Sequence, residues 1–174
     1  MKALEDYVIA IPDFPQPGIL FRDVASVVRD AEGLRLAVDA MQDLAGGMEF
    51  DAIVGAESRG FLFGMPMAYN LKKPFVLIRK QGKLPRETVS AAYGLEYGAG
   101  VLEMHKDDLR PGERALLVDD LLATGGTLEA MIKLVERCGA VVAGIVVLME
   151  LKGLEGRKRL GKYDVRSAIQ YEGK

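Results

Sequence analysis

The chain has 174 residues, 49% of them hydrophobic, and carries 25 acidic against 23 basic side chains. A formal charge of −2 argues against a nucleic-acid surface, which needs a basic face, so any positive field has to be local. Cys138 is the only cysteine, no apolar run approaches bilayer-spanning length, and the start lacks the basic-then-apolar pattern of a secretory signal, so the simplest address is a reducing cytoplasm without membrane contact. One domain over residues 1–174 suits this length, and there is neither an internal repeat nor a low-complexity tract.

In chain order, Leu4 to Ile9 reads as a short helix, after which Pro12, Pro15, Pro17 and Gly18 impose a rigid, non-helical passage. That passage delivers Leu20, Phe21, Arg22 and Asp23, an aromatic ring, a guanidinium and a carboxylate in succession. On their own they fit either a surface arm packing Phe21 inward or a ligand contact. Leu34, Val38, Met41, Leu44 and Ala45 fall on one helical face, which Gly46 and Gly47 terminate. Asp51 to Gly55 reads as a central strand, and Ala56-Glu57-Ser58-Arg59-Gly60 turns from it into an apolar helix running from Phe61 to about Leu71. Arg59 stands where a guanidinium can take a diphosphate through forked hydrogen bonds, although a loop arginine is more often a solvated charge.

Pro74 to Ile78 is the next buried strand, and it runs into the cation-rich stretch from Arg79 through Lys80 and Lys83 to Arg86. A solvated face is the plain reading of such a run; at a strand's carboxyl end it also suits a highly charged anion. Thr88 to Tyr97 and Val101 to His105 form a ribbon around Gly98-Ala99-Gly100, and residues 80–105 together read as a mobile lid. His105 has no second histidine or cysteine near it in sequence, which leaves little room for a metal or triad role.

Ala115 to Val118 is an apolar run of the kind buried on both faces, and it breaks into Asp119 and Asp120 before Ala123-Thr124-Gly125-Gly126-Thr127 opens a helix through Met131. Glycines in that turn let backbone N–H groups approach a ligand, Thr127 can cap the helix, and a helix N-terminus favours an anion. The two carboxylates cannot hold phosphate, but they accept hydrogen bonds from vicinal ribose hydroxyls or hold hydrated magnesium. Phosphate beside diol points to a ribose phosphate. Cys138 reads as a core residue after that helix, Val141 to Leu148 as another strand, Glu150 to Leu160 as a charged helix, and Val165 to Tyr171 as an edge strand without functional reading. Strands near 51, 75, 115 and 141 with helices between them make an α/β, doubly wound, mostly parallel sheet of about five strands, with a small N-terminal hood over residues 1–32. A dinucleotide-dependent oxidoreductase shares that pattern but needs Gly-x-Gly-x-x-Gly after a strand, and a purine sensor on this fold needs a basic face or a nucleic-acid-binding extension; the sequence has none of these.

From Asp119 to Thr127 the chain resembles the phosphoribosyl-diphosphate signature of the type I phosphoribosyltransferases, and Leu121-Leu122-Ala123 within it is similar to the adenine-using branch of that family. Phe14 to Asp23 resembles the branch's base-binding arm, Ala56 to Gly60 its diphosphate loop, and Tyr93 to Gly98 its catalytic-loop motif, with Ala91, Ala92 and Gly94 where relatives often carry larger or polar residues. The resemblance covers nearly the whole chain. It implies transfer of the 5-phosphoribosyl group from 5-phosphoribosyl 1-diphosphate to N9 of adenine, giving AMP and diphosphate, with Mg²⁺ as cofactor and a homodimer as the assembly. It also implies roles: Asp119 and Asp120 on the ribose; Ala123, Thr124, Gly125, Gly126 and Thr127 on the 5-phosphate; Glu57, Ser58 and Arg59 on the diphosphate. Arg79, Lys80 and Lys83 would bind phosphoribosyl diphosphate, with Lys80 or Arg79 of one subunit reaching the neighbour's diphosphate site, Leu20, Phe21 and Arg22 would hold adenine, and Glu96 and Arg59 would be catalytic. Metal ligands stay open, with magnesium held mainly through diphosphate, ribose hydroxyls and water.

Overall fold

The computed structural model describes residues 2–95 and 98–173. Residues 9–23 make a small antiparallel sheet of β1 (Ile9–Pro12) and β2 (Leu20–Asp23), paired Ile9 to Asp23 through Pro12 to Leu20. Asp23 accepts from the Ala25 N–H and so caps α1 (Val24–Arg29), and Asp30 does the same for α2 (Ala31–Leu44) through the N–H groups of Glu32 and Gly33. The helix expected over Leu4 to Ile9 is a single 3-10 turn at Leu4–Tyr7, because β1 begins at Ile9 and claims that backbone for pairing.

The main sheet has seven strands rather than about five. β3 (Ala52–Ala56) leads through α3 (Arg59–Leu71) to β4 (Phe75–Lys80), then to the ribbon β5 (Thr88–Leu95) and β6 (Gly98–His105). β7 (Arg114–Leu122) follows, then α4 (Gly126–Arg137), β8 (Val141–Leu151), α5 (Gly156–Leu160) and β9 (Val165–Tyr171). The spatial order is β5-β6-β4-β3-β7-β8-β9. Two strands escaped the count for a physical reason: the ribbon does not stand off the domain but continues the sheet, with β6 pairing antiparallel to β4 from Ile78–Met104 to Lys80–Leu102.

Alternation sorts the strand residues onto two faces. Ile53, Leu116, Val118, Val146 and Leu148 pack under α1, α2 and α3 with Val27, Met41, Phe63 and Met67. Val54, Ala115, Leu117, Ile145 and Val147 pack under α4 with Met131, Leu134 and Val135. Every residue of β3 is buried, as a strand covered on both faces requires. Cys138 closes α4 half-buried, packed against this second core. Among the described residues no helix is long and apolar enough to cross a membrane.

Two details correct the expected tail and cap. Glu150 continues β8 rather than opening a helix, because Arg157 neutralises it there, and the remaining segment is a 3-10 turn and the five-residue α5. The N-cap of α4 is Gly125 at φ +84°, not Thr127, and no side chain caps the helix. Its first N–H groups are therefore left for an outside acceptor.

Candidate active site

β3 has β4 on one side and β7 on the other, all parallel, so the order in which the chain adds strands reverses between β3 and β7. Ligands of open α/β sheets bind outside the carboxyl ends of the strands at such a point. Arg59 follows β3, while Asp119 and Asp120 lie near the carboxyl end of β7, and the two strands are in register from Ala52–Ala115 to Gly55–Val118.

The two aspartates are buried, at 7% and 4% exposure. The Asp120 N–H donates to Asp119 Oδ1 at 2.9 Å. Arg59 Nε lies 2.9 Å from Asp120 Oδ2, an ionic contact without hydrogen-bond alignment, so that oxygen stays buried with no hydrogen-bond partner. Burial pushes the Asp119 carboxyl well above the usual carboxylate range, and the neighbouring Asp120 charge adds to it. Burial raises Asp120 as well, with Arg59 opposing. Asp120 Oδ2 is thus short of a donor, which a ligand hydroxyl would supply.

A cavity of about 200 Å³ joins this pair to the turn, lined by Arg59, Asp119, Asp120 and Ala123 through Thr127. Gly125, in the left-handed region, shapes the turn, and the uncapped start of α4 faces the same space. Backbone N–H groups and a helix terminus favour a phosphate at this end. A larger hollow of about 490 Å³ lies at the amino ends of the strands, beside Phe50, Lys73 and Arg114. Arg114 is committed there to Asp51 and Glu49, at 3.0 and 2.6 Å, so this hollow offers no free cation of its own from that residue.

The turn after β3 puts Glu57 and Ser58 immediately before α3; the Glu57–Ser58 peptide is cis. Glu57 Oε2 accepts from Arg79 Nε at 2.9 Å and from the Lys80 N–H at 3.0 Å. Burial pushes this carboxyl up, but those hydrogen bonds prevail and leave it below its ordinary value. Arg79 is thus tied down within its own chain, whereas Lys80 and Lys83 are exposed. Glu96 lies outside the described residues.

Leu20, Phe21 and Arg22 sit together on β2 in the hood. Phe21 packs edge-on against Phe14, ring centres 5.1 Å apart. Arg22 stacks its guanidinium 4.0 Å from the centre of the Tyr171 ring, which fastens the arm to β9. Sequence reasoning missed Tyr171, Glu150, Gly156 and Arg157. One signal was present: Glu150 is a lone acid closing the apolar run from Ile145, as Asp119 and Asp120 close theirs.

A doubly wound sheet with a buried acid pair and a bare helix N-terminus at its switch point defines a sugar-phosphate transferase of the phosphoribosyl class, and the family model "Phosphoribosyl transferase domain" matches residues 30–173. Over all 174 residues of both chains, the sequence is 58% identical to an adenine phosphoribosyltransferase of Agathobacter rectalis. The solved adenine phosphoribosyltransferase of Thermoanaerobacter pseudethanolicus superposes with a TM-score of 0.93 at 48% identity, covering 97% of this chain and 100% of that one. That of Saccharomyces cerevisiae, complexed with adenine and D-2,5-dideoxy-2,5-imino-altritol 1,6-bisphosphate, gives 0.89 at 37% identity over 95% and 96%. The chain belongs to the phosphoribosyl transferase family, in its adenine phosphoribosyltransferase branch.

Proposed function

We infer that this chain transfers the 5-phosphoribosyl group from 5-phosphoribosyl 1-diphosphate to N9 of adenine, giving AMP and diphosphate, a purine-salvage reaction. The observation that carries it is the buried Asp119–Asp120 pair set beside the uncapped N-terminus of α4. The yeast relative's complex with adenine and a bisphosphate supports the same substrates.

Cleaving ribose C1 from diphosphate passes through an oxocarbenium-like state, so the protein's task is to hold and orient rather than to attack. Asp119 and Asp120 accept from the ribose hydroxyls. Ala123, Thr124, Gly125, Gly126 and Thr127 cradle the 5-phosphate. Arg59 turns from Asp120 to the leaving diphosphate, with Glu57 and Ser58 shaping the turn behind it. Leu20 and Arg22 offer backbone groups to the adenine edge while Phe21 stacks on the ring, and Glu96 takes the N9 proton.

Magnesium suits this donor set: it keeps most of its water and uses one or two carboxylates together with substrate phosphates. Asp120 Oδ2, buried and lacking a hydrogen-bond partner, is such an acceptor, and Asp119 and Asp120 would hold the ion with its water. Among the described residues no closed cluster of three or more ligands competes for it. When bound, Mg²⁺ supplies charge neutralisation for the departing diphosphate.

Residues 1–174 act as one domain, with 1–32 as hood and 80–105 as lid. The assembly is a homodimer in a cytoplasmic setting, in which exposed Lys80 or Lys83, rather than the tethered Arg79, reaches the neighbour's diphosphate.

The test is diphosphate release with phosphoribosyl diphosphate, Mg²⁺ and, in turn, adenine, hypoxanthine and guanine. A site built on hydrogen bonding rejects the reversed donor–acceptor pattern of a 6-oxopurine by roughly 10⁴-fold in kcat/KM. Comparable values for adenine and hypoxanthine would overturn the base assignment, and no release with any base would overturn the reaction.

A further inference from the structure

The turn that follows β8 presses its Gly156 backbone against the phosphate loop. A Cβ on Gly156 would lie 2.4 Å from the Ala123 carbonyl oxygen and 2.6 Å from Leu122 Cδ1, and one on Gly125 would lie 2.8 Å from the Gly156 carbonyl oxygen. A side chain on Gly156 would therefore have to displace Ala123 and Leu122, and one on Gly125 would have to displace Gly156. Two main chains lie against each other at the point where the loop bends into α4.

One forked ion pair fixes the turn in place. Arg157, next to Gly156, donates Nε to Glu150 Oε1 and Nη2 to Glu150 Oε2, both at 2.7 Å. Its Nη1 reaches the Val165 carbonyl at 2.5 Å, and Ser167 Oγ donates to Glu150 Oε2 at 2.7 Å. Glu150 is 3% exposed and lies in register with Leu122, the residue from which the phosphate loop departs. A buried carboxylate satisfied on both oxygens is rigid, and a planar guanidinium fork sets direction as well as distance.

Resting on the reaction inferred above, we propose that Gly156, Arg157 and Glu150 form a brace that sets the shape of the 5-phosphate loop, as positioning residues for the phosphate end of the substrate. None of them touches substrate. They act through Ala123 and Gly125, whose backbone sets the direction of the N–H groups that receive the phosphate. A displacement of about 1 Å at such a cradle costs up to 10²-fold.

The experiment compares two ligands by calorimetry on the full chain: ribose 5-phosphate, which fills the phosphate end, and diphosphate with Mg²⁺, which fills the other. For Gly156→Ala the brace predicts roughly 10-fold or greater loss of ribose 5-phosphate affinity, diphosphate affinity within about 2-fold of wild type, and a KM for phosphoribosyl diphosphate that rises more than kcat falls. Arg157→Met should behave likewise and Arg157→Lys recover part of the loss; should Gly156→Ala not fold, the two Arg157 variants carry the comparison. Affinities for both ligands falling in parallel, or neither falling, would overturn the brace. Wild-type enzyme that releases no diphosphate with adenine would instead count against the reaction, so the two failures are told apart.

Discussion

Arg59 and Asp120 hold one another across the switch point of the sheet, Nε to Oδ2 at 2.9 Å. In the proposed reaction the first would bind diphosphate and the second ribose, so substrate would have to separate them. Asp120→Asn removes a charge-assisted acceptor and is predicted to weaken phosphoribosyl-diphosphate binding by roughly 10-fold or more, with Thr124→Ala costing about 5-fold, from the usual worth of charged and neutral hydrogen bonds. Calorimetric titration of both variants checks this. Unchanged affinity in the pair would remove the acid–loop site from the mechanism.

Asp119 gives a pH signature in stability. Its folded-state value is raised above the ordinary 3.8, so folding takes up a proton between the two values. The associated stability is complete below the ordinary value and is lost as pH rises through the raised one. Asp119→Asn cannot lose it. The thermal midpoint of Asp119→Asn should therefore match wild type near pH 4 and exceed it increasingly toward neutral pH. Asp51, held down to about 2 by Arg114, and Glu150, held low by Arg157, have the opposite dependence but are common to both proteins and cancel in the difference. A difference that stays flat with pH would refute the assignment of the raised carboxyl.

In the proposed site, base choice would rest on backbone rather than side chain. Phe21→Ala should raise KM for adenine by about 10-fold, the order of a lost aromatic stack, while hypoxanthine remains a poor substrate. Steady-state kinetics with the two bases decide it. A variant that accepts both equally would place specificity in the Phe21 ring.

Leu62, Met65 and Tyr69 stand on one side of α3 at 43%, 55% and 84% exposure, an apolar stripe that water does not favour. The homodimer proposed above would cover it. Met65→Asp should then convert a sedimenting dimer into a monomer and lower turnover with it, because a cation supplied by the partner would no longer reach the site. A Met65→Asp monomer with wild-type turnover would show that each chain is complete alone.

The parallel core was readable because β3, β7 and β8 are continuous apolar runs, and the turn from β7 into α4 because small residues concentrate there between a strand and an amphipathic helix. Strand count was not, since β6 is added through antiparallel backbone bonds to β4, which periodicity does not reveal. The cap of α4 was misplaced because Thr127 has a capping side chain and Gly125 has none, while the geometry there depended on a positive φ. Glu150 to Leu160 read as a charged helix. Charge alone could not tell that the acid was buried and paired across a turn, which depends on β9 and the phosphate loop lying beside it.

The stacking of Arg22 on Tyr171 sets an order of assembly. Arg22 belongs to the first sheet of the chain and Tyr171 to its last strand, so during synthesis the hood emerges early and waits without its anchor while the main sheet forms. The hood therefore gains its far anchor only once β9 is in place, and a chain cut short of Tyr171 keeps β1 and β2 but loses this contact with the main sheet.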